Sequence, residues 1–569
     1  MRQRKAWASL ALAIGAVCAP AYTAEIDSNT FGGLEARSIG PAVMGGRIAA
    51  MDAVWIDDTL TIYVGTATGG LWKSDDGATT FEPIFDKHTM SIGAVTIDPN
   101  DPETVWVGTG EAWTRNSVSI GDGVYKTTDG GETWTKLGLE DSERIVKILV
   151  HPEESDTVYV CATGHLWDAN EERGVYKTTD GGETWDAILQ VDADTGCSDL
   201  TMDAQEPDHL YAGMWQFRRE PWHFTSGGPG SGLYRSEDGG ETWDRVTAGL
   251  PEGELGRIAV AVAPSRPSVV YATVEAEDTG FFRSADLGKT WERKAHSSAV
   301  EGRPFYFSLI VVDPKDHNRV YKPGGTTALT TDGGEVFTTI ANSTHSDHHA
   351  LWVDPRNSRH LLLGTDGGLY ESNDLGRRWT FRNSIPVSQF YQVSFDMERP
   401  YNVYGGLQDN GTWYGPSSAN GGVQNKHWDN IGSGDGFHAY VDRGDSDIVY
   451  VEWQGGRMQR MRKSTGEVKD IQPLERKGDP KYRFNWNAGM HVSPNRDDTI
   501  YIGGQFVFRS RDRGDSWEKI SPDLTTDDPE KQRQGESGGL TIDNSTAENH
   551  CSIYRIAEEP GDENVLWVG

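Results

Sequence analysis

Apolar residues in this chain come in short runs closed by turns, without the three-and-four spacing of amphipathic helices. A typical run ends in Asp-Pro or its like, as in Ala94 to Pro99, Leu309 to Pro314 and Ala350 to Pro355. A second run follows, such as Thr104 to Gly108, Thr157 to Ala162 or His360 to Gly364. A third, such as Gly123 to Lys126, leads into a polar turn from which a fourth departs. Four strands in a unit of about 50 residues predict a propeller blade. Second strands begin near Thr61, Thr104, Thr157, His209, Val269, Arg319, His360, Asn402, Ile448 and Thr499, so ten blades are expected, with the start of another at Asn564.

The polar turn has its own signature: Ser or Thr, any residue, Asp, any, Gly, any, Thr or Ser, then Trp or Phe. Clear copies are Thr127 to Trp134, Thr178 to Trp185, Ser236 to Trp243 and Ser284 to Trp291. Looser copies are Ser74 to Phe81, Thr330 to Phe337, Ser372 to Trp379 and Ser510 to Trp517. Asp and Ser/Thr side chains bond the local backbone, Gly accepts positive φ, and the aromatic anchors the hairpin. Carboxylates bonded to their own turn are not free for acid–base work, so these are structural.

Composition agrees with short strands: 569 residues hold 67 Gly, 20 Trp, 20 Tyr and 17 Phe, with hydrophobic residues at 36%. A net charge of −33 argues against nucleic acid or an anionic membrane as partner. The N-terminus carries Arg2, Arg4 and Lys5, an apolar run from Leu10 to Val17 and small residues around Ala19, Ala21 and Ala24, the layout of a cleavable export signal. No other stretch approaches the apolar length of a membrane span. Gly15 argues against a lipid anchor at Cys18. Cys161, Cys197 and Cys551 remain in an oxidising compartment; spacing alone leaves a Cys161–Cys197 bridge open.

Seven box-bearing blades end near Ser384, enough to close one ring. We therefore expect a signal peptide over 1–24, a first seven-bladed propeller over 25–384, and in 385–569 the first part of a second. Its early blades, Tyr391 to Trp413 and His438 to Met461, lack the box. The segment Val565 to Gly569 matches the second strand Thr104 to Gly108, and the expectation is that the second propeller is truncated after about three and a half blades. The fold class expected is all-β, tandem seven-bladed β-propellers with Asp-box (BNR) repeats.

The chain resembles secreted bacterial BNR-repeat proteins with a sortilin-type propeller. The likeness is carried by Trp72-Lys73-Ser74 with its box, Gly108-Thr109-Gly110-Glu111, Asp347-His348-His349-Ala350-Leu351-Trp352, Gly405 to Gly411 and Ser521-Pro522-Asp523-Leu524-Thr525. Such proteins are similar in architecture to the tandem-propeller xyloglucanases and are often labelled glycosyl hydrolases. The tandem xyloglucanases place one catalytic Asp where a blade-one second strand leads into Gly-Gly; here that stretch reads Gly65-Thr66-Ala67-Thr68-Gly69-Gly70, with Ala67 in the Asp position. Glycoside hydrolysis needs two carboxyl groups, so this counts against that activity. A sialidase motif is interrupted at Phe381 to Pro386.

Boxes and Asp-Pro turns share one face of a propeller, and the loops joining second and third strands share the other. These are long: Glu111 to Gly121, His165 to Arg173 and Trp215 to Ser231. They carry Trp113, Trp167, Trp215 and Trp222 beside charged residues, which suits sugar rings or an extended peptide, although such tryptophans also serve to pack loops down. Counting back along the innermost strands puts Ser91, Arg144, Tyr306 and Asp347 at one level, Arg257 and His348 one step further in, and Arg47 in an equivalent setting. Arg47, Arg144 and Arg257 could converge on an anion or pair with neighbouring acids. In His345 to His349, His345, Asp347 and His349 fall on one strand face and could hold a divalent metal. No zinc-protease helix, phosphate loop or serine elbow accompanies them, and no cofactor is expected.

The leading reading is an exported, sortilin-like recognition scaffold whose ligand is a peptide, protein or glycan on the long-loop face; the oligomeric state stays open. The alternative is a glycoside hydrolase whose carboxyl pair is drawn from Glu111, Asp347 and Asp435.

Overall fold

The second blade shows how the pattern becomes structure. Its strands are Ile92–Ile97, Val105–Thr109, Val124–Thr127 and Thr135–Lys136, hydrogen-bonded antiparallel in sequence order. Val95 lies opposite Val107, and Val107 opposite Tyr125. Ile92, Val95 and Val107 pack towards the first blade, while Ala94 and Trp106 pack towards the third. Both faces of the sheet are therefore covered, and the strands read as nearly continuous apolar runs.

The computed structural model describes residues 39–40, 45–114, 118–294 and 297–569. The expected signal peptide lies outside the described residues. Among them are nine four-stranded sheets of this kind, one six-stranded sheet and a two-stranded sheet, Ile556–Glu558 with Leu566–Val568. The protein is all-β, built as tandem β-propellers on Asp-box blades. Seven blades run from Ile48–Ile56 to Thr380–Arg382, and the seventh meets the first. Leu362 and Leu369 pack with Ile48, Ile62 and Val64, Trp55 Nε1 donates to Asp354 Oδ1 at 3.2 Å, and Gly45 N donates to Gly367 O at 3.0 Å. A Cβ on Gly364 would come within 2.6 Å of the Ile48 side chain, so the seam requires a glycine there. Three further four-stranded sheets run from Phe390–Phe395 to Glu518–Lys519.

The boxes are turns. Thr127 Oγ1 donates to Asp129 Oδ1 at 2.6 Å and accepts Gly131 N at 3.1 Å. Thr133 N donates to Asp129 Oδ1 at 2.9 Å, and Trp134 Nε1 reaches Ile84 O of the preceding blade at 2.9 Å. These donors hold Asp180 and Asp238, in two other boxes, at about 2.

The fourth blade departs from the pattern. Its second strand, Leu210–Glu220, runs past the sheet and pairs with His223–Ser226, which lies parallel to Gly538–Gly539. This hairpin ties the first ring to the later blades. Cys161 and Cys197, left open above, are disulfide-bonded and link the third blade to the fourth; Cys551 is a buried free thiol. Among the described residues no helix is long and apolar enough to cross a membrane.

Candidate functional site at the junction of the two propellers

The blade-eight turn Gln408 to Gly411 places Asp409 in an ion-pair network at the mouth of the first ring. Arg47, just before the first strand, is buried at its centre. Its Nε and Nη2 donate to the two carboxylate oxygens of Asp366 at 2.6 and 2.8 Å, Nη1 pairs with Glu111, and Nη2 lies 3.3 Å from Asp409 Oδ2. His349 Nε2 lies 3.0 Å from Asp366 Oδ1 on the far side. Asp435 accepts Asp409 N at 2.7 Å and Gln454 Nε2 at 2.7 Å, fixing the turn. Asn410 Nδ2 donates to Asp366 O at 2.9 Å.

This geometry divides the carboxyl groups. Burial opposes ionisation of Asp366, but Arg47 and His349 outweigh it and hold this acid well below the usual carboxylate range. Burial, with Asp366 and Asp435 as like-charged neighbours, pushes Asp409 well above that range against the pull of Arg47. The two neighbouring carboxyls are thus pushed in opposite directions, Asp366 towards its ionised form and Asp409 towards its protonated form. Oxygens of Asp347, Asp366 and Asp409 lie within 4.8 Å of one another. A divalent cation could take such a set, but the Arg47 guanidinium already contacts Asp366 and Asp409, so the arrangement is an ion-pair network.

Beside this network lies a cleft of about 940 Å³, walled by Trp167, Tyr391, Phe437 and Trp486 with Asn485, Asn487 and Asn549. Tyr391 connects the two: its ring packs 4.5 Å from Phe437, while burial, Asp435 and Asp409 push its phenol well above its usual range. The fourth-blade hairpin bounds the cleft. Arg219 Nη1 pairs with Glu548 Oε1 at 2.9 Å in a buried contact, Phe224 N donates to Ser537 Oγ at 3.0 Å, and Trp222 packs 5.3 Å from His550 with Lys531 Nζ 4.5 Å from its ring.

The residues singled out in the sequence scatter. Trp167 is 47% exposed and faces the cleft. Trp215 is fully buried, stacked on Phe217 at 4.2 Å, and Trp113 is buried with Nε1 on Ala49 O at 3.1 Å; both pack the loops down rather than face the cleft. Arg47, Arg144 and Arg257 do not share one ligand. Arg144 pairs with Glu143 and Gly164 O, and Arg257 reaches Phe305 O and Ala112 O between the rings of Trp113 and Trp215. The strand count is also off by a step, since the carbonyls of Arg47, Arg144, Arg257 and Asp347 make equivalent bonds to Ala67, Thr163, Glu275 and Asp366. Tyr306 is buried under Arg47 and Arg303. His348 is buried between Thr327 and Thr344, and burial pushes it down to about 4.

The strand-face metal set is also undone. His345 turns to the carbonyls of Ser346 and Asp409, at 2.8 and 3.1 Å, while His349 points to Asp366, so neither shares a ligand position with Asp347. Asp347 adopts φ 60° and faces Asp366 of its own blade and Asp409 of blade eight. Glu111 is sealed on Arg47 and Asp435 is committed to the Asp409 turn, which removes both from the proton-transfer set. Asp366 and Asp409 went unread as chemistry. Asp366 occupies in Gly364-Thr365-Asp366-Gly367-Gly368 the register that Ala67 occupies in blade one, and the same scan applied to every blade would have found it.

Fold and junction together define an Asp-box β-propeller of glycosyl-hydrolase-like architecture. The family model of Sortilin, neurotensin receptor 3 (Sortilin-Vps10) matches residues 69–218. The chain is 29% identical over 195 residues to a probable oligoxyloglucan-reducing end-specific xyloglucanase of Neosartorya fischeri, covering 32% of this chain and 19% of that protein. A xyloglucanase of Hypocrea jecorina is 28% identical over 211 residues, covering 33% of this chain and 24% of that protein. These matches thus span about a fifth to a quarter of the length of the relatives. An ancestral GH74 enzyme superposes with a TM-score of 0.58 at 14% identity, over 94% of this chain and 75% of that one, a likeness of fold.

Proposed function

We propose that the protein is an exported glycoside hydrolase that binds a polysaccharide in the cleft at the propeller junction, with residues 25–384 as the first propeller and 385–569 as the beginning of the second. The observation that carries this reading is Asp409, a partly exposed carboxyl beside Asp366 that is pushed towards its protonated form and adjoins Tyr391 in the wall of an aromatic, amide-lined cleft. A protonated carboxyl is what protonation of a glycosidic oxygen requires. Asp409 is the proton donor. Asp347, partly exposed and in the same cluster, is the second carboxyl. Aromatic faces in the cleft would stack on sugar rings, and Asn485, Asn487 and Asn549 would bond hydroxyls. The xyloglucanase relatives support a glucan backbone as substrate.

The test is reducing-sugar release from xyloglucan and other soluble β-glucans, wild type against Asp409→Asn. The variant should lose at least about 100-fold in rate while still binding substrate. One feature favours recognition without catalysis: Ala67 is buried where the relatives' architecture leads one to expect a carboxylate. Retention of xyloglucan on affinity gels without release of reducing ends by the wild type would decide for that second reading.

A further inference from the structure

Beneath the ion-pair network, the innermost strands of the first ring surround a channel of about 410 Å³. Its cleft-side end is formed by Trp113, Arg257 and His349, with the Trp113 ring 5.0 Å from His349 and 5.3 Å from the Arg257 guanidinium. Two buried nitrogens there meet no hydrogen-bond partner among the described residues: Arg257 Nε and His349 Nδ1. Both side chains are almost wholly buried, and a buried donor without an acceptor is costly.

Farther along the same channel the charge reverses. Asp52 lies three residues beyond Ala49, and Asp199 accepts the backbone N–H of Val260, three residues beyond Arg257. Each carboxylate is held by two backbone N–H groups, from Ala53 and Ile97 and from Leu200 and Val260, and neither forms an ion pair among the described residues. Among the described residues, Lys147 supplies the one cation at this level, against two carboxylates. The channel is therefore dipolar, positive at Arg257 and negative at Asp52 and Asp199. Its two ends are roughly 10 Å apart along the strands, a distance that a small molecule with side chains reaching towards it from both ends can bridge.

We propose that this channel binds a short zwitterion, of the dipeptide or ω-amino acid class, with its carboxylate on Arg257 Nε and His349 Nδ1 and its ammonium group at Asp52 and Asp199. With His349 Nε2 directed at Asp366, a ligand carboxylate at Nδ1 places the imidazole between two anions, where both ring nitrogens donate. Charge at only one end leaves the other end's desolvated groups unmatched, so a molecule bearing a single charge binds weakly. The site is separate from the cleft and does not depend on the hydrolase reading.

Isothermal titration of the full chain with glycylglycine, acetate and methylamine tests it. Glycylglycine should bind, and acetate and methylamine should bind at least about tenfold more weakly. Asp52→Asn and Asp199→Asn remove the charge and keep one of the two oxygens that accept backbone N–H groups, and each should weaken glycylglycine at least about tenfold at a temperature where its near-ultraviolet dichroism spectrum matches that of the wild type. Arg257→Met should do the same where it folds. No heat with glycylglycine, equal affinity for acetate, or unchanged affinity in both Asp variants would overturn the proposal.

Discussion

The innermost strand of blade five, Ile258–Val262, is buried along nearly its whole length, whereas the innermost strand of blade eight, Phe390–Phe395, leaves Val393 62% and Phe395 67% exposed. Blade five's strand reads IAVAV and blade eight's FYQVSF; both carry apolar residues along their length, and their exposure differs with their neighbours. Blade five lies between two sheets that share its core, while the described residues cover blade eight chiefly from blade nine. The fastening differs as well. In the first ring an eight-residue box closes the turn between third and fourth strands, and in blades two and three its Trp also reaches a carbonyl of the preceding blade. Blades eight and nine lack the box and use clamps between blades. Asp396 accepts Tyr404 OH at 2.8 Å, and Tyr404 OH accepts Lys463 Nζ from blade nine at 2.6 Å. Asp442 accepts Tyr450 OH at 2.6 Å and Arg513 Nε from blade ten at 2.9 Å. First-ring blades combine a local box with tyrosine hydroxyls that reach a backbone carbonyl of the next blade, whereas blades eight and nine, lacking the box, rely on clamps through charged side chains.

The contrast can be broken most directly in the first ring. Trp106→Ala removes a fully buried indole packed between blades two and three, and should cost roughly 3–5 kcal/mol, read by chemical denaturation. A loss under about 1 kcal/mol would mean that the ring does not rest on blade-to-blade packing.

A smaller effect sharpens the difference in fastening. Tyr404→Phe strips Asp396 and Lys463 of a shared partner and should cost about 1.5–3 kcal/mol, whereas Thr127→Ala in the blade-two box should cost about 1–2 kcal/mol. Hydrogen exchange distinguishes them further: Tyr404→Phe should speed exchange in blades eight and nine together, and Thr127→Ala in blade two alone. Exchange confined to blade eight in the tyrosine variant would remove the distinction between clamp and box.

The smallest effect is in pH dependence, where box and channel acids have opposite signs. The pKa values of Asp180 and Asp238 sit at about 2 in the fold, below the ordinary aspartate value of about 3.9, so their contribution is complete above about 4 and is lost as pH falls through 2. Burial raises Asp52 to about 6, so its contribution is complete below about 4 and is lost as pH rises through 6. Thermal melts across pH 2–7 should show Asp180→Asn flattening the acid limb and Asp52→Asn flattening the stretch between about 4 and 6. The same pH response in both variants would show that the two environments do not differ as described.

Much of the architecture was legible because a blade is a local object. Strand, turn and box follow from residues within about 50 positions of one another, and the second strands observed begin within a residue or two of Thr104, Thr157, His209, Val269 and Arg319. The site was less legible. Trp167 is exposed at the cleft, but Trp113 and Trp215, in loops of the same kind, turn inward, where they sandwich the Arg257 guanidinium. Sequence could not rank these tryptophans, since exposure depends on what other blades bring to the loop.

What the sequence determined by itself was the repeating unit, its Asp-box turns and the all-β class, because each rests on contacts between near neighbours in the chain. Only the tertiary structure decided that Cys161 meets Cys197 and that Arg47 joins Asp366, 319 positions away, and Asp409, 362 away. Proton placement followed from that meeting. Asp366 and Asp409 are the same residue type beside similar glycine-rich turns; burial acts on both and Arg47 touches both, but a bidentate Arg47 contact and His349 favour the charge on Asp366, while Asp366 and Asp435 oppose it on Asp409.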